Sequence, residues 1–202
     1  METSELFYSD VELASLRKKA WQMLDEKRIP HVAGCEEEAV CLAQRWGESP
    51  SAAAAAAILH DVTKRLSAKE QLALVKQYEI VCDDALLASP KLLHAVTGAA
   101  VAKAEFKMPD AICSAIRWHT TGKPEMTLLE KIIYLADYIE PTRDFPGVEK
   151  LRKAAYEDLD SALALGLKMS LEEVSGGGVK PYIDTILASQ YYNEERKQHA
   201  FS

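Results

Sequence analysis

The stretch SPSAAAAAAILHDVTK, residues 49–64, predicts a helix that ends on two potential ligand side chains. Ser49 and Pro50 suit a helix entry, because proline is tolerated in a first turn. The six alanines Ala52–Ala57 combine the highest helix propensity with a very small side chain. The run is equally compatible with a central helix that its neighbours approach closely and with helix propensity alone. Ile58 and Leu59 extend the apolar character, and the helix is expected to end near His60 and Asp61.

Outward from this segment the helical pattern is almost continuous. Upstream, Asp10 is the expected cap of a first helix to about Arg28, with Leu13, Leu16, Ala20 and Leu24 on one stripe. Pro30 ends that approach, and a second helix over about 31–46 closes at Gly47. Downstream, Ser67 with Glu70 and Thr127 with Glu130 form capping-box patterns. They open helices to about Tyr78 and over about 127–140. Further helices are expected over about 90–106 and 109–119, then a short and a long one within 145–175, and a last one over about 181–196. No alternating run supports a strand. The expectation is an all-α fold in one domain over residues 1–202, against roughly 100–200 residues for a typical domain. The 48% hydrophobic, 27% charged and 7% aromatic composition is globular and argues against a β-sandwich or barrel.

With 24 basic and 31 acidic residues the net charge is −7, which does not favour a nucleic-acid polymer as partner. A small anionic substrate stays open, because a metal ion supplies positive charge locally. The longest apolar run, Ala52–Leu59, has eight residues, whereas a membrane span needs roughly 20. The opening METSELFYSD lacks the basic and apolar regions of a signal peptide. Cys35, Cys41, Cys82 and Cys113 form no CxxC pair and read as reduced thiols. A cytoplasmic location is therefore expected.

Four of the five histidines, His31, His60, His94 and His119, fall in or at the edge of apolar helical segments; His199 lies in a polar tail. Asp61 follows the Ala-rich helix, and Asp137 sits inside IIYLADYI, residues 132–139. Taken singly, a histidine on an apolar face is more often a hydrogen-bonded core residue than a ligand. A bare carboxylate in such surroundings is harder to dismiss, because it needs a cation, a donor set or an altered pKa. One shared transition-metal centre (iron, manganese, cobalt or zinc) would satisfy all six, and the His/Asp mixture disfavours calcium or magnesium. The dispersed spacing suits a centre built between facing helices. His60 and Asp61, about 100° apart on a helix, could serve one ion from a helix end. The two oxygens of Asp61 could instead bridge two ions. Lys64 shares the face of His60 if the helix persists, and reads as a phosphate contact or as a solvated lysine.

The segments RIPHVAGC (28–35), LHDVTK (59–64) and HTTG (119–122) resemble the HD-domain metal-dependent phosphohydrolase superfamily. So does the stretch from Leu128 through YLADYIEP (134–141) to Arg143, Phe145, Pro146 and Gly147, and the likeness is to its YqeK-type branch. This resemblance implies an all-α HD-domain helical bundle that hydrolyses diadenosine tetraphosphate symmetrically to two ADP, with one or two metal ions, iron first among them. By that pattern His31, His60, Asp61 and Asp137 would hold the metal. His94 and His119 would complete a second metal position or contact phosphate. Val62, Thr63, Lys64, Thr120 and Arg143 would hold the polyphosphate. Lys180, Tyr182 and Thr185 are further substrate candidates, in a tail that departs from the family's usual run. Gly176–Gly178 would offer backbone N–H groups to a phosphate, or form an ordinary connection. A homodimer is the family-level expectation.

The residue chemistry suggests in-line attack on phosphorus by a water activated at the metal, with Lys64 and Arg143 neutralising phosphate charge. The alternatives are an HD phosphohydrolase for another nucleotide, a non-catalytic nucleotide sensor, or a purely structural helical module.

Overall fold

The computed structural model describes residues 7–199, so most of the acidic opening stretch lies outside it. Every regular element among the described residues is helical: α1 (Asp10–Trp21), α2 (Ile29–Trp46), α3 (Pro50–Leu59), α4 (Ala68–Gln77), α5 (Asp84–Leu87), α6 (Pro90–Ala104), α7 (Asp110–Trp118), α8 (Leu128–Ile139), α9 (Val148–Glu157), α10 (Leu159–Gly176) and α11 (Ile183–His199). No helix among them is long and apolar enough to cross a membrane.

The alanine helix is the centre of the bundle. All of Ala52–Leu59 is at most 1% exposed, and α3 packs on α1, α2, α7 and α8. A helix apolar on every side has no solvent face, and only methyl side chains let four neighbours close on one axis. Around it, α8 packs on α2, α7 and α10, and α6 packs on α7. These contacts bring the end of α3, the start of α2, the first turns of α6, the end of α7 and the last turns of α8 together. Replacing Ala55 by leucine inserts three carbons where none fit. We expect a loss of about 1–3 kcal/mol, read as a lower urea midpoint with unchanged slope.

The capping boxes at Ser67/Glu70 and Thr127/Glu130 both form. Other expectations are corrected. Ser9, with Glu12, caps α1 in place of Asp10. That helix stops at Trp21, well short of Arg28, and a single 3₁₀ turn (Glu26–Arg28) leads into α2. Pro30 lies inside the first turn of α2 and does not terminate anything, because an N-terminal N–H has no intrahelical partner to lose. The short α5 has no counterpart in the sequence reading. It is one turn capped by Asp83 and held by Leu86 in a small cluster with Leu93 and Val96.

Candidate metal centre

Two of the four imidazoles are positioned by the same local device. His60 and His119 each occupy the residue just beyond a helix, α3 and α7. The last carbonyls of a helix lack intrahelical donors. The Nδ1–H of His60 donates to Ala57 O at 2.6 Å, and that of His119 donates to Ile116 O at 2.7 Å. His31, in the first turn of α2, donates Nδ1–H to Glu140 Oε1 at 3.0 Å. With Nδ1 donating, neutral imidazole presents a bare Nε2 lone pair.

Those lone pairs face one another. His31 Nε2 and His60 Nε2 are 3.3 Å apart, and His94 Nε2 and His119 Nε2 are 3.1 Å apart. Asp61 sits between the two pairs. Its Oδ2 lies 3.6 Å from His31 Nε2 and 3.4 Å from His60 Nε2. Its Oδ1 lies 3.1 Å from His94 Nε2 and 3.8 Å from His119 Nε2. Asp137 Oδ1, from α8, is 3.1 Å from His31 Nε2 and 3.9 Å from His60 Nε2. Three overlapping sets, His31–His60–Asp61, His60–His119–Asp137 and Asp61–His94–His119, bring ligand atoms within 4.8 Å of one another. Such separations suit neighbouring ligands of one ion with bonds of about 2.0–2.2 Å.

Two observations show that these residues fit a cation. Bare nitrogens packed together repel unless a positive charge lies among them. Asp61 Oδ1, fully buried, has no hydrogen bond of acceptable geometry, which is costly for a carboxylate. The neutral-imidazole and carboxylate donor set is that of a divalent transition metal. His94 differs from the other three: Lys64 Nζ lies 3.1 Å from its Nε2 and competes for that lone pair.

In the absence of an ion the cluster has its own pH signature. Burial pushes His94 and His119 below the usual 6.5, His119 well below with the charge of His60 adding. Unfolding takes up protons at these two below pH 6.5, so stability falls with acid. At His60 burial opposes the proton, but Asp61 and Cys35 outweigh it and hold the group well above 6.5. That contribution is fully present below 6.5 and is lost as pH rises through the raised value. Asp61 and Asp137 lie well below 3.8, since neighbouring imidazoles overcome the burial cost, so they add a loss only in strong acid. In chelator, the cluster's contribution to the melting temperature is expected to peak near pH 6.5. With metal bound, proton competition should make melting rise with pH instead.

Two residues absent from the sequence-level site enter here. Arg28 donates Nε–H to Asp61 Oδ2 at 2.6 Å. Glu140, fully buried at the end of α8, takes the N–H and hydroxyl of Thr142 at 2.7 and 2.6 Å as well as His31 Nδ1–H. Gly34 leaves room for it, since a Cβ there would meet Glu140 Oε2 at 2.6 Å. The signals were a basic residue three before His31 and an acid in the last apolar turn before Pro141. Replacing Glu140 by glutamine frees the orientation of His31. Metal affinity should fall about 10- to 100-fold in a chelator competition assay, with the helical spectrum kept.

The remaining candidates divide. Arg143 donates to Asp137 Oδ1 at 2.6 Å and Asp137 O at 2.8 Å, beside the cluster. Lys64 reaches His94 although α3 has ended, because residues 61–65 form turns and not a continued helix. Val62 and Thr63 are buried, and the Thr63 hydroxyl bonds His94 O at 2.8 Å and Thr97 Oγ1 at 2.9 Å. Their side chains hold the turn in the core. Thr120, Lys180, Tyr182 and Thr185 line one cavity of about 1000 Å³ between α5–α6 and α10–α11. The Thr120 hydroxyl there is buried with no hydrogen-bond partner. Gly177 and Gly178 use their N–H groups on Glu173 O and Ser175 O, closing α10 as an ordinary connection. A second cavity, of about 590 Å³, opens beside His31, Arg28 and Arg143. The side chain of His199 lies outside the described ones.

Comparison with known proteins agrees with this geometry. The HD-domain profile matches residues 28–142. A Halalkalibacterium halodurans protein named symmetrical bis(5'-nucleosyl)-tetraphosphatase is 41% identical over 175 residues, covering 84% of this chain and 93% of the relative. A Bacillus subtilis protein of the same name is 41% identical, covering 82% and 89%. A Staphylococcus aureus one is 33% identical, covering 91% and 95%. The crystal structure of a Clostridium acetobutylicum protein, described as a predicted HD superfamily hydrolase involved in NAD metabolism, superposes with a TM-score of 0.87. It is 35% identical, over 94% of this chain and 99% of that one. With the domain profile matched over residues 28–142 and relatives 33–41% identical over most of their length, the chain belongs to the HD-domain family, among relatives named symmetrical bis(5'-nucleosyl)-tetraphosphatases.

Proposed function

We propose that the protein hydrolyses diadenosine tetraphosphate to two ADP at a divalent transition-metal centre held by His31, His60, Asp61 and Asp137. The observation that carries the reading is the set of four converging Nε2 atoms around the unsatisfied Asp61 Oδ1. The dinucleotide follows from the names of the relatives. Iron is the metal that the resemblance to the family puts first, and two imidazoles with two carboxylates suit a divalent transition metal of that kind. His119 and His94, facing the other oxygen of Asp61, support a second position for an ion or for phosphate.

When bound, such a metal supplies a water nucleophile at neutral pH and charge for the phosphate oxygens. The chain does the rest. Glu140 fixes the tautomer of His31, and the carbonyls of Ala57 and Ile116 fix those of His60 and His119. Lys64, Arg28 and Arg143 stand at the edge of the cluster as cations for the polyphosphate. Burial lowers the pKa of Lys64, while Asp61 and Asp137 pull it back up. Thr120, Lys180, Tyr182 and Thr185 belong to the seat of one nucleoside, supported by their shared cavity. These local cations make an acidic chain compatible with a polyanionic substrate. The proposal extends to one domain over residues 1–202 and, on four unpaired cysteines, a cytoplasmic location.

Elemental analysis of the purified protein, paired with identification of products from diadenosine tetraphosphate, tests the reading. Bound iron and ADP as sole nucleotide product are expected. Products ATP and AMP, or no turnover by metal-replete protein, would overturn it.

A further inference from the structure

We propose that the smaller cavity, beside the loop joining α8 to α9, seats the second nucleoside of the dinucleotide, with Tyr138 and Phe145 as its stacking platform. This rests on the hydrolase reading above.

The four imidazoles are neighbours in sequence of contact, gathered on the Asp61 carboxylate. His31 to His60, His60 to His119 and His119 to His94 are spaced 5.4, 5.0 and 5.0 Å between ring centres. The smaller cavity touches the cluster at His31. The larger one reaches Thr120, next in sequence to His119, and the two cavities meet at Glu173 of α10. A substrate with a nucleoside at each end, cut at its middle, must lay its central phosphates on the cluster and seat its two nucleosides in separate spaces. The larger cavity accounts for only one of them.

The smaller cavity has the polarity that the other half requires. Its edge against the cluster carries Arg28 and Arg143, which suit phosphate. Its lining also carries Tyr138 and Phe145, stacked with centres 5.1 Å apart and planes 25° apart, and both rings keep partial exposure. Asp144, Glu172 and Glu173 also line the cavity and repel phosphate from their part of it. Phosphate is therefore directed to the arginines and the base onto the rings. Base–aromatic stacking is tolerant of geometry and strong enough to hold a nucleoside. A volume of about 590 Å³ lies within the usual range for small-molecule sites, about 300–1,000 Å³. Tyr138 follows Asp137 directly in α8, so the platform stands at a fixed distance from the metal side chains.

The test uses full-length, metal-loaded protein. Wild type is expected to bind two ADP per chain by calorimetry. Phe145→Leu keeps apolar volume but removes the stack. It should bind one ADP, keep its metal content, and lose about tenfold or more in kcat/KM for diadenosine tetraphosphate, mostly through KM. Phe145→Tyr should restore both values, which a mere packing role would not predict. One ADP per chain in wild type, or two ADP and unchanged kinetics in Phe145→Leu, would overturn the second seat while leaving the hydrolase reading intact. A wild-type protein with no turnover would instead sink the hydrolase reading and this one with it.

Discussion

Asp61→Ala is expected to lose its bound metal and to fall in turnover by on the order of a thousandfold or more. The Asp61 carboxylate lies within 3.8 Å of an Nε2 on each of the four imidazoles. Its Oδ2 serves His31 and His60, and its Oδ1 serves His94 and His119. Without it Asp137 is left as the carboxylate on His31 and His60, His94 and His119 lose the oxygen they face, and Arg28 loses its partner. Asp61→Asn keeps the shape and separates charge from packing: it should fold as wild type by circular dichroism and still fail to retain metal. Metal content and turnover measured on the same sample decide the matter. Either variant with full metal and full activity would show that the centre is elsewhere.

Arg143→Ala should act differently. Arg143 lies on the solvent side of Asp137, about one-third exposed, and reaches its carboxylate and carbonyl oxygens together. Asp137 retains His31 and His60 within 3.9 Å, so its place in the cluster does not depend on the guanidinium. Metal content is expected near normal. KM should rise and kcat fall, for a combined loss of about 10- to 100-fold, the scale of one charge-assisted hydrogen bond. Lysine at this position should recover only part of the loss, because a point charge does not reproduce the planar fork. Loss of the metal in Arg143→Ala would mean that its work is to hold Asp137 and not the substrate. A single steady-state series with elemental analysis on each variant resolves the two roles.

The amino-acid sequence alone determined the helical class and singled out the six histidines and aspartates that the fold brings together. Helix signals are local: a capping box spans four residues, and an alanine run acts on itself. A carboxylate in an apolar turn carries its cost wherever the chain goes, so Asp61 and Asp137 called for a cation, a donor set or an altered pKa before any fold was known. Tertiary structure decided what those signals cannot contain. The end of α1 at Trp21 and the single turn of α5 depend on what packs against them. Arg28 and Glu140 look like ordinary polar residues until α2 and α8 come together and place them on Asp61 and His31. Thr63 could be separated from Lys64 only when its hydroxyl was found bonded inside the core. The two cavities are spaces between helices far apart along the chain, and periodicity reports which side of a helix is buried but not the volume left beside it.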